Sequence, residues 1–271
     1  MRISDHGSLL VFAVLISLAM TDAWHTSVGA AEVIAGASVP STQPATSIVG
    51  EEHPISPALQ MRLAELNSTP LDHLDSVAGR SLAEFTAPTD QAQIEYSIAC
   101  QYGSGGAQYR ERSMQHAKRA LDHLVALDKR IQMYHYIATA TEASAGADRT
   151  GRRVKTAPIY AQALSEIQTL DLPAVAPEAP LVQRFDYRGP PGDPVYQTLL
   201  EAYNKSLAEA ERARDVQRLI TQRDSIFKGL AWLYRDDGNR QTNAEAVLRK
   251  YLTNEKLIAA TLEQIDAVPG R

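Results

Sequence analysis

Asp193–Tyr234 reads DPVYQTLLEAYNKSLAEAERARDVQRLITQRDSIFKGLAWLY, and this stretch decides the fold class. No Gly or Pro interrupts it between Val195 and Lys228. Ala, Leu, Glu, Gln and Arg, which lose least on entering a helix, fill most positions. Asp193 followed by Pro194 is a start signal: an oxygen that accepts from free N–H groups, then a ring whose φ is already helical. Leu199, Leu200, Tyr203, Leu207, Ala210 and Ala213 recur at helical spacing and mark one apolar face. A strand needs alternation with period two, and no segment sustains it beyond a few residues. The spacing predicts one long helix here and an all-α chain.

The same signals extend outward. Ser56-Pro57 and Thr69-Pro70 each put a hydroxyl before a proline, and Asp90-Gln-Ala-Gln93 and Thr242-Asn-Ala-Glu245 read as capping boxes. With 271 residues, 44% of them hydrophobic, the chain can bury a sizeable core. A net charge of −5 argues against a general nucleic-acid binder. Its 1 cysteine excludes an intramolecular disulfide and the two-cysteine zinc and haem motifs.

At the N-terminus Arg2 precedes an apolar run, Leu9–Met20, followed by small and polar residues. That order is the signature of a secretory signal peptide, and the run falls short of the ~20 residues that span a bilayer. The expectation is export, with residues 1–30 as signal and cleavage after Ala23 or Ala30. No stable membrane insertion is expected after its removal. Residues 31–55 are small, polar and proline-containing, as in a flexible linker, and residues 56–267 form a single helical domain.

Within that domain a pattern repeats. Glu95-x2-Ile98-Ala99-x2-Tyr102, Tyr134-x2-Ile137-Ala138-x2-Thr141 and Phe227-x2-Leu230-Ala231-x2-Tyr234 share one layout. Each precedes a second helix with Ala, aliphatic and large residues in order: Ala117/Leu121/Leu124, Ala163/Ile167/Leu170 and Ala244/Leu248/Tyr251. A small alanine lets a neighbouring backbone approach, and the bulky residues a turn away fill the groove beside it. This layout resembles the tetratricopeptide repeat, a helix-turn-helix unit that stacks into a solenoid. Phe227, Leu230, Ala231, Tyr234, Gly238, Ala244 and Leu248 carry the best copy. The copies are unevenly spaced, with inserts at Gly103–Arg112 and Gly146–Thr156 and with Leu172–Pro194 between the second and third. The architecture expected is an antiparallel helix-hairpin array of this kind or an irregular helical bundle. A small sheet near Leu181–Tyr187 is the remaining alternative.

The resemblance implies a concave face lined by the first helix of each unit. Its positions would be Gln93, Tyr96 and Cys100, then Gln132, His135 and Thr139, then Lys228, Trp232 and Arg235. Lys228, Trp232 and Arg235 form a stripe in which two cations flank an aromatic, a pattern suited to a peptide or carboxylate. Trp232 packing into the core is the competing reading. The binding residues expected are Lys228, Trp232, Arg235, His135 and Tyr96.

Other constellations read as structural. His116 and His123 share a helix face without a third metal ligand, and His73 and Asp75 diverge. Asp236-Asp237-Gly238-Asn239 fails the calcium-loop spacing, because Leu233 stands where a carboxylate is required. It reads as an inter-helix turn with Gly238 left-handed. Gly103-Ser-Gly-Gly106 lacks the features of a phosphate loop and reads as a connection, and Cys100 as a buried small hydrophobe. Arg149, Arg152, Arg153 and Lys155 form a basic loop, either solvated or offered to an anionic partner. Phe185–Tyr196 folds over the helices or presents its aromatics. No catalytic residue, metal or cofactor is expected. The function that follows is an exported, non-enzymatic interaction or scaffold protein with a protein or peptide partner. A helical-cleft enzyme and a coiled-coil-like assembly protein are the alternatives.

Overall fold

The computed structural model describes residues 55–146, 148–182, 185, 190 and 193–269. The expected signal segment, and the linker before Ile55, lie outside the described residues. The chain divides into two units, Met1–Gln43 and Pro44–Arg271, and every described residue belongs to the second.

That unit is all-α, with no strand among the described residues. Its helices are α1 (Pro57–Ser68), α2 (Leu74–Glu84), α3 (Pro88–Ser104), α4 (Arg110–Leu121), α5 (Leu127–Ser144) and α6 (Arg149–Ile167). They continue as α7 (Pro194–Tyr234), α8 (Arg240–Leu248) and α9 (Glu255–Ala267), with one 3-10 turn at Ala107–Tyr109. The long helix read from the sequence is present as α7, 41 residues and about 60 Å at 1.5 Å per residue.

Two of the five start signals act as read. Ser56 Oγ accepts from the Leu59 N–H at 3.2 Å, and Asp193 Oδ1 accepts from the Val195 N–H at 2.8 Å. The other three are displaced. Thr69 closes α1 instead of opening a helix, its hydroxyl donating to the Glu65 carbonyl at 2.7 Å. Asp90 and Thr242 lie inside first turns, because α3 starts already at Pro88 and α8 at Arg240. A proline at the first helical position carries its own φ and needs no capping box after it. Gly238 is not left-handed. Among the described glycines the positive φ values belong to Gly106 (95°) and Gly146 (61°).

From α1 to α7 each helix packs against the next, giving hairpins α1–α2, α3–α4 and α5–α6, whereas α8 packs on α6 and α9 rather than on α7. The odd-numbered helices also touch one another in series, α1 to α3, α3 to α5, α5 to α7 and α7 to α9. Three buried clusters follow this order. One joins α1–α3 through Leu66, Ile94 and Tyr102, and a second joins α3–α5 through Ala99, Ala117 and Met133. The third joins α5–α9 through Ala138, Leu164, Phe227, Leu248 and Ile258.

The repeated positions are largely those that pack. Glu95, Ile98, Ala99 and Tyr102, then Tyr134, Ile137 and Ala138, then Phe227, Leu230, Ala231 and Tyr234 are buried. Thr141 is half-buried, and Tyr251 lies open to solvent. Leu200 and Ala210 are buried on α7, whereas Leu199 points outward, so the apolar face there is narrower than the spacing suggests.

After α6 the described residues 168–182 form neither helix nor strand and are tied to α7. The buried Arg223 guanidinium donates to the carbonyls of Pro173 (3.0 Å) and Ala174 (3.2 Å), and the Gln217 amide donates to that of Pro177 (2.9 Å). Phe185 meets Tyr196 edge-on, with ring centroids 5.4 Å apart, so its ring lies against α7, while residues 186–189, 191 and 192 of that segment lie outside the described residues.

Ala138 is fully buried in the cluster joining α5 to α9. Ala138→Leu adds carbons where there is no space, and overpacking of this kind costs about 1–3 kcal/mol. A thermal melt is expected to show a clearly lowered midpoint. An unchanged midpoint would place Ala138 away from a close helix contact.

Candidate functional site

The end of α7 has two unlike faces. Phe227, Leu230, Ala231 and Tyr234 turn into the core, while Lys228 and Trp232 face solvent, Trp232 at 47% exposure. The half-buried Arg235 guanidinium lies 4.0 Å from the centre of the Trp232 ring, a cation–π stack. Its Nε stands 3.5 Å from Asp236 Oδ1 and is buried with no hydrogen-bond acceptor. The structure therefore brings Lys228, Trp232 and Arg235 together on one stripe, and Trp232 is not a core residue.

The other expected binding positions serve helix–helix contacts. Tyr96 is 6% exposed, and its hydroxyl donates to Gln132 Oε1 at 2.8 Å. The Gln132 amide in turn donates to the Tyr136 hydroxyl at 3.2 Å. Lys129 Nζ sits 5.4 Å over the Tyr96 ring and donates to Gln93 Oε1 at 3.0 Å. These contacts form a polar ladder that joins α3 to α5. Cys100 lies within it, where burial pushes its thiol up to about 12 and leaves it inert as a nucleophile. Beside this ladder α3 carries Gly103, where a Cβ would come within 2.6 Å of the Tyr136 ring. His135 faces Tyr160 of α6 with ring centroids 6.4 Å apart, and burial lowers its pKa.

The basic cluster is not a loop. Arg149, Arg152, Arg153 and Lys155 occupy the first turns of α6, and all three arginines are engaged within the fold, Arg152 by donating to the Gly146 carbonyl. Arg149 pairs with Asp236 at 2.8 Å and Arg153 with Asp237 at 2.9 Å, while Arg153 also lies 5.6 Å over the Tyr234 ring. The acidic turn after α7 is thus a clamp for α6. Asp237 also accepts from the Asn239 N–H (3.1 Å) and the Asn243 amide (2.7 Å).

A buried acid escaped the sequence reading. Glu95 fills a position where the other copies carry Tyr134 and Phe227, yet its side chain is only 8% exposed. His116 Nδ1 meets one carboxylate oxygen at 2.5 Å, and Arg119 approaches the other at 3.6 Å. The His116 ring stacks on Tyr102 at 5.7 Å. Asp75, on α2, pairs with Arg112 at 2.8 Å and accepts from the Tyr102 hydroxyl. The only signal in the sequence was the charge of Glu95 itself at an otherwise aromatic position.

Among the described residues no group of three or more His, Cys, Asp or Glu side chains stands close enough to hold a metal ion. No helix among them is long and apolar enough to cross a membrane. The chain matches no protein-family model, no curated protein and no solved structure.

The Asp237 clamp has a pH signature. Burial works to raise the Asp237 pKa, but the Asn243 amide, the Asn239 N–H and Arg153 outweigh it and hold the carboxyl below its ordinary range. The ionised carboxylate therefore stabilises the fold above its unfolded pKa, ~3.9, and that contribution disappears as pH falls through the lower folded value. Asp237→Asn should be less stable than the parent near neutrality, and the gap should narrow on acidification towards about pH 2. Circular-dichroism melts across that range measure it. A gap that stays constant would show that Asp237 adds no charge-dependent stability.

Proposed function

We propose that the protein is an exported, non-enzymatic helical interaction protein that captures a protein or peptide partner on the Lys228–Trp232–Arg235 stripe. The observation that carries this reading is the exposed Trp232 ring held under the Arg235 guanidinium, opposite a face wholly committed to packing. Indole and guanidinium groups dominate binding hot spots because they offer large contact area and directed donors at modest entropic cost. Stacking already limits the freedom of both side chains, so less is lost when a partner arrives. The tetratricopeptide-like reading of the array is supported by the burial of equivalent positions in α3, α5 and α7 and by the serial contacts of the odd helices. Export is supported by Arg2, the apolar run Leu9–Met20, and the small residues near Ala23 and Ala30.

Two alanine variants test the stripe. Trp232→Ala removes an exposed cation–π contact and should cost at most about 1 kcal/mol of stability. Phe227→Ala hollows the core and should cost about 3–5 kcal/mol. Retention of a partner from envelope extract by the immobilised chain should fall for Trp232→Ala by tenfold or more, as for a hot-spot residue. Equal melting losses in the two variants, or undiminished retention by Trp232→Ala, would refute the stripe.

Export has its own measurement. The N-terminus of the mature protein should follow Ala23 or Ala30, and recovery of a chain beginning at Met1 from the cytoplasm would overturn it.

A further inference from the structure

The segment that follows α6 ends in a stretch with a regular form of its own. Pro177 and Pro180 fix φ near ~−65° at their own positions. Each also pushes the residue before it, Ala176 or Ala179, out of the helical region and into an extended one. Burial along the stretch repeats at every third residue. Ala176, Ala179 and Val182 are half-buried, while the pairs between them, Pro177 with Glu178 and Pro180 with Leu181, are exposed. A strand would alternate at every second residue. Three residues per turn is the period of the polyproline II helix.

This stretch is anchored to α7 on both sides. Before it, the buried Arg223 holds the carbonyls of Pro173 and Ala174, and Gln217 holds that of Pro177. Beyond it, the Phe185 ring lies against Tyr196 and Tyr203. The segment therefore runs antiparallel to α7, with its sheltered edge of Ala176, Ala179 and Val182 set by these ties. Two edges remain outward, Pro177 with Pro180 and Glu178 with Leu181. Leu181 is 94% exposed, and Val175, just before the stretch, is 79% exposed. Apolar side chains held outward by an anchored backbone keep surface in water that another molecule can cover. Less conformational freedom is then lost on binding than for a loose chain.

We infer that residues 176–182 are a recognition segment for a partner protein that reads polyproline II. The partner surface that fits is a groove lined with aromatic rings, on which proline rings and a preformed threefold helix pack. Pro177 and Pro180 lie in successive slots of that groove, and Leu181 fills an apolar pocket beside them. Glu178 meets a cation on the rim. A groove suits this ligand better than a flat face, because the two outward edges stand about 120° apart around a helix of three residues per turn. The segment shares no residue with the Lys228–Trp232–Arg235 stripe. There the chain is the receptor, and here it is the ligand.

Competition on the immobilised full chain tests this, using extract of the producing cells with the envelope included. The competitors are a synthetic peptide of residues 174–182, a scrambled peptide of the same composition, and hexaproline. At least one retained protein should be displaced by the 174–182 peptide and by hexaproline but not by the scrambled peptide. Pro177→Ala/Pro180→Ala should retain that protein about tenfold or more weakly. This variant should melt only slightly lower, through a looser unfolded chain. Leu181→Glu, at an almost fully exposed position, should leave the melting midpoint unchanged and also weaken retention. The inference is overturned if no retained protein responds to the 174–182 peptide, or if the scrambled peptide competes equally. Displacement by the segment peptide but not by hexaproline would also overturn it, since such a partner reads side chains and not the threefold helix. Undiminished retention by both variants would do the same.

Discussion

Ala99, Ala138 and Ala231 stand where the odd-numbered helices meet their neighbours, and each is buried almost completely. A single methyl at such a point lets two helix axes come within the ~8–10 Å at which ridges enter grooves. Larger residues beside the alanines, Ile98 and Tyr102, Tyr134 and Ile137, Phe227 and Leu230, then fill the space on either side. The rest of the array depends on this arrangement. Three buried clusters follow from it, one of which gathers residues of α5 to α9.

Electrostatics is handled locally along the same array. Arginines that look available in the sequence reach across hairpins. Arg149 and Arg153 hold the turn after α7, Arg130 grips Glu166 through two donors, and Arg223 ties down the segment after α6. Arg130 also donates to the carbonyls of Leu121 and Leu124, closing the end of α4. A planar fork with five donors suits this task, because it satisfies a carboxylate and several carbonyls at once. The result is a surface whose positive charge is largely used within the fold. The lysines are different: Lys118, Lys155, Lys205, Lys228, Lys250 and Lys256 lie exposed.

How far the sequence could be read depended on the range of the interaction. Helix type, the long α7, and the Ser56 and Asp193 caps rest on contacts within a few residues, and these were legible. So was the packing face of Phe227, Leu230, Ala231 and Tyr234, which follows from a 3.6-residue period, whereas whether Trp232 joined it or faced outward was open. Clamps between hairpins were not. Arg153 and Asp237 are far apart in the chain, and nothing in either local sequence identifies the other as its partner. Tyr96 and His135 illustrate the same limit. The resemblance placed them on a binding face, but the ladder from Tyr96 to Gln132 and Tyr136 depends on how closely α3 and α5 approach beside Gly103.

That closeness also explains why the outer stripe lies on α7. Between α3 and α5, glutamines, tyrosines and a lysine meet across the gap and satisfy one another, so the inner row there is sealed by its own side chains. On α7 the pattern changes. Gly229 admits Tyr160 so tightly that a Cβ would come within 2.7 Å of the ring, drawing α6 against the helix from one side. Trp232, a turn further on, is then left facing outward with Arg235 as its neighbour. A tryptophan so placed retains apolar surface in water, a cost that folding does nothing to reduce. Occupation of that surface by another molecule would remove it, and the same geometry that seals the α3–α5 face leaves this one open.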